Sequence, residues 1–181
     1  MGTPNLGEVM GQVVRSLQAQ HGDVAATLEA ITAAAVRSVP GTDECGTRLV
    51  LERRKVESRA PTGDLPREID RLQERLGEGP CLDAVHEQRT VRIDDIEGEE
   101  RWPRFPAEAA GTGMRSMLSF QLFVTGSTLG ALNLYAREPH AFGEEAESIG
   151  SVFARHGAIA LAGAQAEAHL RAAVASRDLI G

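Results

Sequence analysis

The sequence predicts an α+β domain, with antiparallel strands flanked and interrupted by helices. Three observations carry that prediction. Ser116 to Val124 alternates, with Leu118, Phe120, Leu122 and Val124 on one face; Thr125-Gly126-Ser127 turns the chain, and Thr128 to Ala136 answers with Leu132 and Leu134. That pattern is an antiparallel hairpin. Residues 143–178 form one helical pattern rich in Ala and Glu, with no proline inside it. Strands joined by hairpins, with helices segregated around them, indicate α+β and not a doubly wound parallel sheet.

The elements follow in order. Leu6, Val9, Met10, Val13, Val14 and Leu17 recur at helical spacing over 6–20. Asp23 reads as an N-cap for a second helix carrying Val24, Leu28, Ile31, Ala35 and Val39, which Pro40-Gly41 stops. Strands are predicted at Gly46–Glu52 and Lys55–Ala60 around a tight charged turn. Pro61, Gly63 and Pro66 make a loop before a short helix over 67–76 with Ile69, Leu72 and Leu76 on one side. Gly77 fits the left-handed position after a helix end, Gly79 the next N-cap and Pro80 the first helical position. A helix then runs from Cys81 to Glu87, and Thr90–Ile93 forms a short strand that Asp94-Asp95-Ile96 closes. The polar stretch 97–113 holds Trp102-Pro103 and Phe105-Pro106, read as a loop and a short helix at 106–110.

Composition bounds the function. The chain has 181 residues, 42% hydrophobic, 25% charged and 4% aromatic, which suits one globular domain with an aliphatic core. A net charge of −7 without a Lys/Arg cluster argues against a nucleic-acid groove or an anionic-membrane patch on this fragment. No signal peptide opens the chain, no stretch approaches 18 apolar residues, and two cysteines are too few for a disulfide scaffold. A reduced cytoplasmic setting follows as the default.

Chemistry-bearing motifs are few. Gly77-Glu78-Gly79 lacks the preceding strand and the third glycine of a dinucleotide fingerprint, so a structural hinge is the better reading. Cys81, in the first turn of a helix, is either a small buried hydrophobe or a reactive thiol, and the former is favoured. Cys45 reads as packing. His21, His86, His140, His156 and His169 show no metal-ligand spacing, so no metal is expected. Asp94-Asp95 and Glu99-Glu100 read as solvated turn residues. No nucleophile elbow, P-loop or zinc-protease run occurs, so no enzyme is expected. Trp102 and Phe105 must bury their rings in a lid on the sheet, which either merely packs or closes a small-molecule pocket.

The set resembles a GAF domain over about Asp23 to Gln165. The marks are Pro40-Gly41, Gly77-Glu78-Gly79-Pro80-Cys81, Thr90-Val91-Arg92-Ile93-Asp94-Asp95, Ser116-Met117-Leu118-Ser119-Phe120-Gln121-Leu122, Gly130-Ala131-Leu132-Asn133-Leu134 and Phe142. The resemblance implies an antiparallel sheet of five or six strands, terminal helices on one face, and the 66–113 segment covering a ligand-binding face. Cyclic-nucleotide-binding members carry an Asn-Lys, Phe, Asp-Glu signature. Here Asn133, Phe142 and Glu144-Glu145 fit, but Leu134 replaces the lysine, which argues against cyclic GMP. Free methionine sulfoxide reductases share the fold, and Cys45 and Cys81 fall near two of their cysteines. Their catalytic cysteine belongs in the loop around 100–113, which has none, so that activity is not expected.

Ala175-Ser176-Arg177-Asp178-Leu179-Ile180-Gly181 looks like the start of an ANTAR domain, an RNA-binding antitermination module, and Arg101-Trp102-Pro103-Arg104-Phe105 resembles bacterial GAF–ANTAR regulators. The expected organisation is an N-terminal helix at 1–22, a GAF domain at 23–165 and a connector at 166–181 leading to an output domain. Apolar or small residues at Ile149, Val152, Ile159, Ala166, Leu170 and Ala173 approximate a helix-pairing seam, which predicts a homodimer through terminal helices. Candidate ligand-binding residues are Ser119, Gln121, Arg92, Trp102, Phe105 and Cys81. Alternation puts Ser119 and Gln121 opposite Leu118, Phe120 and Leu122; the others follow from the resemblance. The expected function is sensing an unknown small molecule or partner, with no cofactor identified. The alternatives are a dimerisation module with a filled pocket and a Cys81 redox sensor.

Overall fold

Asp23 caps the first helix, its carboxylate accepting the Ala26 N–H at 3.0 Å. That helix, α1 (Val24–Ser38), buries Leu28, Ile31 and Ala35 and ends where Val39 turns extended before Pro40. The computed structural model describes residues 7, 8, 11, 15, 23–52, 55–87 and 90–180. The helix expected over 6–20 lies outside these, except that Gly7, Glu8, Gly11 and Arg15 are helical.

Five strands form one antiparallel sheet: β1 (Glu44–Val50), β2 (Val56–Arg59), β3 (Thr90–Ile93), β4 (Ser116–Val124) and β5 (Ser127–Ala136), in the order β2–β1–β5–β4–β3. β1 begins two residues earlier than the sequence indicates, because Glu44 still pairs with Tyr135 across β5. The β4–β5 hairpin falls where alternation puts it, with Leu118 opposite Leu134 and Ser119 opposite Asn133. Gly126 takes φ +77° in its two-residue turn, a conformation that costs glycine little.

The strand order dictates the layers. β2 and β3 occupy opposite edges, so the chain between them must cross one face of the sheet. It crosses as α2 (Asp64–Leu76) and α3 (Pro80–His86), and α4 (Phe105–Ala110) joins them after β3. α2 starts three residues before the expected 67. Pro66 sits in its first turn, where a missing N–H breaks no helical bond, and Glu44 accepts the Leu65 N–H at 3.2 Å. Gly77 closes α2 at φ +69°.

The other face belongs to α1 and to α5 (Glu144–Ile180), a helix of 37 residues. Leu118, Phe120, Leu122, Leu132 and Leu134 pack there with Ile31, Phe153, Ala158 and Leu161. Phe120 lies so close to Gly150 that a Cβ there would collide with its ring. Beyond Gln165 nearly every residue of α5 is exposed, including Leu170 and Val174. No helix among the described residues is long and apolar enough to cross a membrane.

Candidate functional site between the sheet and its lid

Period-two alternation sends Arg48 of β1, Met117, Ser119 and Gln121 of β4, and Asn133 and Tyr135 of β5 to the lid face. Leu65 and Ile69 of α2, with Trp102 and Phe105, press onto Met117 and Tyr135 as an apolar patch. Trp102 and Phe105 meet edge to face, ring centroids 5.9 Å apart, and the Trp102 indole donates to Asp83 at 3.1 Å. Glu78, between the two glycines, accepts the backbone N–H groups of Arg104 and Phe105 at 2.6 and 2.7 Å. Its carboxylate thus caps α4 and clasps the lid together.

Beside that patch runs a polar chain. Ser119 donates to Asn133 Oδ1 at 2.8 Å, Asn133 Nδ2 donates to Cys81 Sγ at 3.3 Å, and the Cys81 N–H donates to Gln73 Oε1 at 2.9 Å. Gly79, at φ +141°, makes room for this last bond, since a Cβ there would overlap the Gln73 side chain. Gln121 donates to the Val85 carbonyl at 2.9 Å, fastening the end of α3 to β4.

A third group lies toward the β2 edge. Arg48 and Asp70 are both buried, with Arg48 Nε 3.8 Å from Asp70 Oδ1. Arg48 Nε and Nη1, Asp70 Oδ1, Gln73 Nε2 and the Tyr135 hydroxyl make no well-formed hydrogen bond, although each atom is buried; Ser58 and Tyr135 are still close enough to act on Asp70. Such atoms are rare in folded proteins and call for a reason. Burial pushes the Asp70 carboxyl up to about 6, against the opposing pull of Ser58, Arg48 and Tyr135. A cleft of about 480 Å³ between β2 and α2 has Arg48 and Asp70 in its lining.

Four candidates, Ser119, Cys81, Trp102 and Phe105, lie buried between sheet and lid, and half-buried Gln121 joins them at the margin. Arg92 is not brought to this group. It points to the helix face, pairing with Glu147 of α5 at 3.0 Å and with Asp94 at 3.1 Å. The resemblance gave its motif but not its face; Val91 and Ile93 take the lid side instead.

Burial pushes the Cys81 thiol up to about 12, so at neutral pH it is the weakly nucleophilic protonated form. Cys45 is pushed up further by the same cause, and it packs in the core of the opposite face. Both are free thiols. No group of three or more potential metal ligands occurs among the described residues.

Arg48, Asp70, Gln73 and Tyr135 were not picked out by sequence. One signal was there: Asp70 and Gln73 share the α2 stripe with Ile69 and Leu76 at spacings of three and four. Another is Arg48 directly before the apolar run Leu49-Val50-Leu51, inside a stretch that reads as a strand.

The fold is shared widely. A GAF domain of a phosphoenolpyruvate-protein phosphotransferase from Coxiella burnetii matches with TM-score 0.71 at 19% identity, over 92% of this chain and 98% of that one. A domain of a putative two-component sensor histidine kinase from Sinorhizobium meliloti matches with TM-score 0.63 at 20% identity, over 80% and 94%. A free methionine-R-sulfoxide reductase from Neisseria meningitidis, solved with its substrate, matches with TM-score 0.65 at 18% identity, over 88% and 90%. No protein in the curated comparison matches the sequence. The GAF domain family model matches residues 21–162, most of the chain, and with the five-stranded sheet, its lid and its terminal helices this places the chain in the GAF domain family.

Proposed function

We propose that this chain is a non-catalytic sensory module that binds a small molecule between sheet and lid and signals through its terminal helices. The observation that carries the reading is the incompletely hydrogen-bonded polar group of Arg48, Asp70, Gln73 and Tyr135, buried on the lid face, with Arg48 and Asp70 lining a cleft. A merely structural layer gains nothing from such atoms; a binding face supplies their partners. β4 and β5 touch the lid with one face and α5 with the other, so a shift in the lid has a short path to the helix that projects. The test is a thermal-melt screen with a metabolite library, coupled to a signalling assay of a longer chain. Sensing loses its support if no compound shifts the melt and no signal depends on Gln121 or Trp102.

The finer reading is a GAF–ANTAR regulator in which α5 leads to an RNA-binding antitermination output. It rests on Ala175–Gly181 and on the Gly-Glu-Gly-Pro-Cys and Arg-Trp-Pro-Arg-Phe motifs. Ligand-dependent binding of RNA by a chain extended past Gly181 tests it.

A second reading, a dimerisation module with a filled pocket, is favoured by two features. Ser119, Asn133 and Cys81 satisfy one another and are fully buried. Ile159, Leu170 and Val174 are exposed apolar side chains along α5. Sedimentation showing a monomer at high concentration removes it.

A further inference from the structure

A guanidinium out of water is costly unless its donors are spent. Arg48 is 2% exposed and spends its donors poorly. Nη2 reaches the Val56 carbonyl at a long 3.4 Å, Nε lies 3.8 Å from Asp70, and Nη1 has no acceptor. Its neighbour Asp70 meets it through Oδ1 as an ion pair too long for a hydrogen bond. Both side chains are in the lining of the cleft between β2 and α2. Five basic side chains, Arg48, Lys55, Arg59, Arg67 and Arg71, line it against three acidic ones, Glu57, Asp70 and Glu74, in a chain whose net charge is −7. Glu57 is engaged by Arg59 at 2.6 Å and by Lys55 at 3.4 Å. Arg67 and Arg71, exposed on the α2 side, make no ion pair among the described residues, so two uncommitted cations flank a buried one.

We propose that this cleft is a binding site for a small oxyanion, a carboxylate or a phosphate group, whose oxygen accepts from Arg48 Nη1 and which Arg67 and Arg71 draw in from the rim. The cleft's volume, about 480 Å³, admits a metabolite-sized molecule with the anionic end innermost. Asp70 shares that lining, so a ligand with a hydroxyl or amine beside its oxyanion meets a carboxylate acceptor as well. Arginine suits this task, since its charge persists when buried and its planar donors match oxyanion geometry. The proposal rests on the sensory reading and narrows it to one ligand chemistry.

The test titrates the 181-residue chain with inorganic phosphate and, separately, with acetate, against sodium chloride at equal ionic strength. Melting temperature and the Arg48 Nε–H resonance are followed together. The expected result is a saturating shift of that resonance with one of the two anions. It is accompanied by a melt rise of roughly 5–10 °C at a hundredfold excess over Kd. Phosphate stabilises proteins generally, so only the saturating, resonance-linked part counts. The anion that responds distinguishes a phosphate-bearing ligand from a carboxylate. The double variant Arg48→Met with Asp70→Leu keeps the site packed without an orphaned charge, and it should lose the response; Arg48→Lys should weaken it at least tenfold. If neither anion moves the resonance, or the double variant responds like the parent, the oxyanion site is overturned. Should the double variant not fold, the resonance in the unaltered chain decides alone. A library metabolite that shifts the melt but not the Arg48 resonance overturns this site and spares the sensory reading; failure of both anions and library removes both.

Discussion

The two faces of the sheet are built from the same strands and carry opposite chemistry. On the helix side, Leu118, Phe120, Leu122, Leu132 and Leu134 meet Ile31, Phe153, Ala158 and Leu161, and the packing is apolar. On the lid side, one residue along each strand, Arg48, Ser119, Asn133 and Tyr135 are buried beside Met117 and Ile93. Alternation makes this division possible, because neighbouring residues of a strand face opposite ways. The first face contributes stability that depends on packing alone. The second gives up some apolar packing to hold these polar side chains out of water.

The largest expected effect lies on the apolar side. Phe120 is 1% exposed and its ring sits where Gly150 lacks a side chain. Phe120→Ala leaves a cavity that α5 cannot close without moving, and should cost about 3–5 kcal/mol. Urea unfolding measures this. A cost under about 1 kcal/mol means the helix face is soft, and the contrast between faces fails.

The lid side should instead reveal itself through pH. The Asp70 carboxyl is pushed from 3.8 to about 6 by burial, with Ser58, Arg48 and Tyr135 pulling it down and Glu74 pushing it up. An acid whose folded pKa is raised holds its proton more tightly when folded. Its contribution therefore favours the fold below about pH 4 and is lost as pH climbs toward 6. Across that window the parent should lose up to ~3 kcal/mol relative to Asp70→Asn, which cannot titrate. Parallel stability curves for the two proteins would mean that Arg48 holds Asp70 ionised throughout.

Legibility in the sequence follows the same division. Elements set by local pattern were readable: the β4–β5 hairpin, the Asp23 cap, the Gly77 and Gly79 hinges and the length of α5. The sequence places the α2 start too late because Pro66 looks like a breaker, whereas Glu44, 21 residues before Leu65, accepts a backbone N–H of its first turn. At the site, Ser119 and Gln121 followed from alternation within one strand. Arg48 and Asp70 did not, because they meet only when β1, at one side of the sheet, is crossed by α2. A long-range pairing of that kind leaves no periodic trace. The placement of Arg92 failed for a related reason: a motif gives a residue's identity, while the pleat decides its face.

Arg92 also supplies the smallest effect and the sharpest boundary between the faces. Its guanidinium joins the edge strand β3 to α5 through Glu147 at 3.0 Å, with side chains 34% and 41% exposed. Pairs this open are screened by water and salt, so Arg92→Gln should cost under about 1 kcal/mol, and the difference should vanish in 1 M sodium chloride, where the screening length is about 3 Å. A larger, salt-resistant cost would mean that the pair holds α5 against the sheet in the way the apolar core does. Hydrogen exchange separates these outcomes: with Arg92→Gln, amides near Glu147 should open faster while those around Phe153 and Leu161 stay as protected as before.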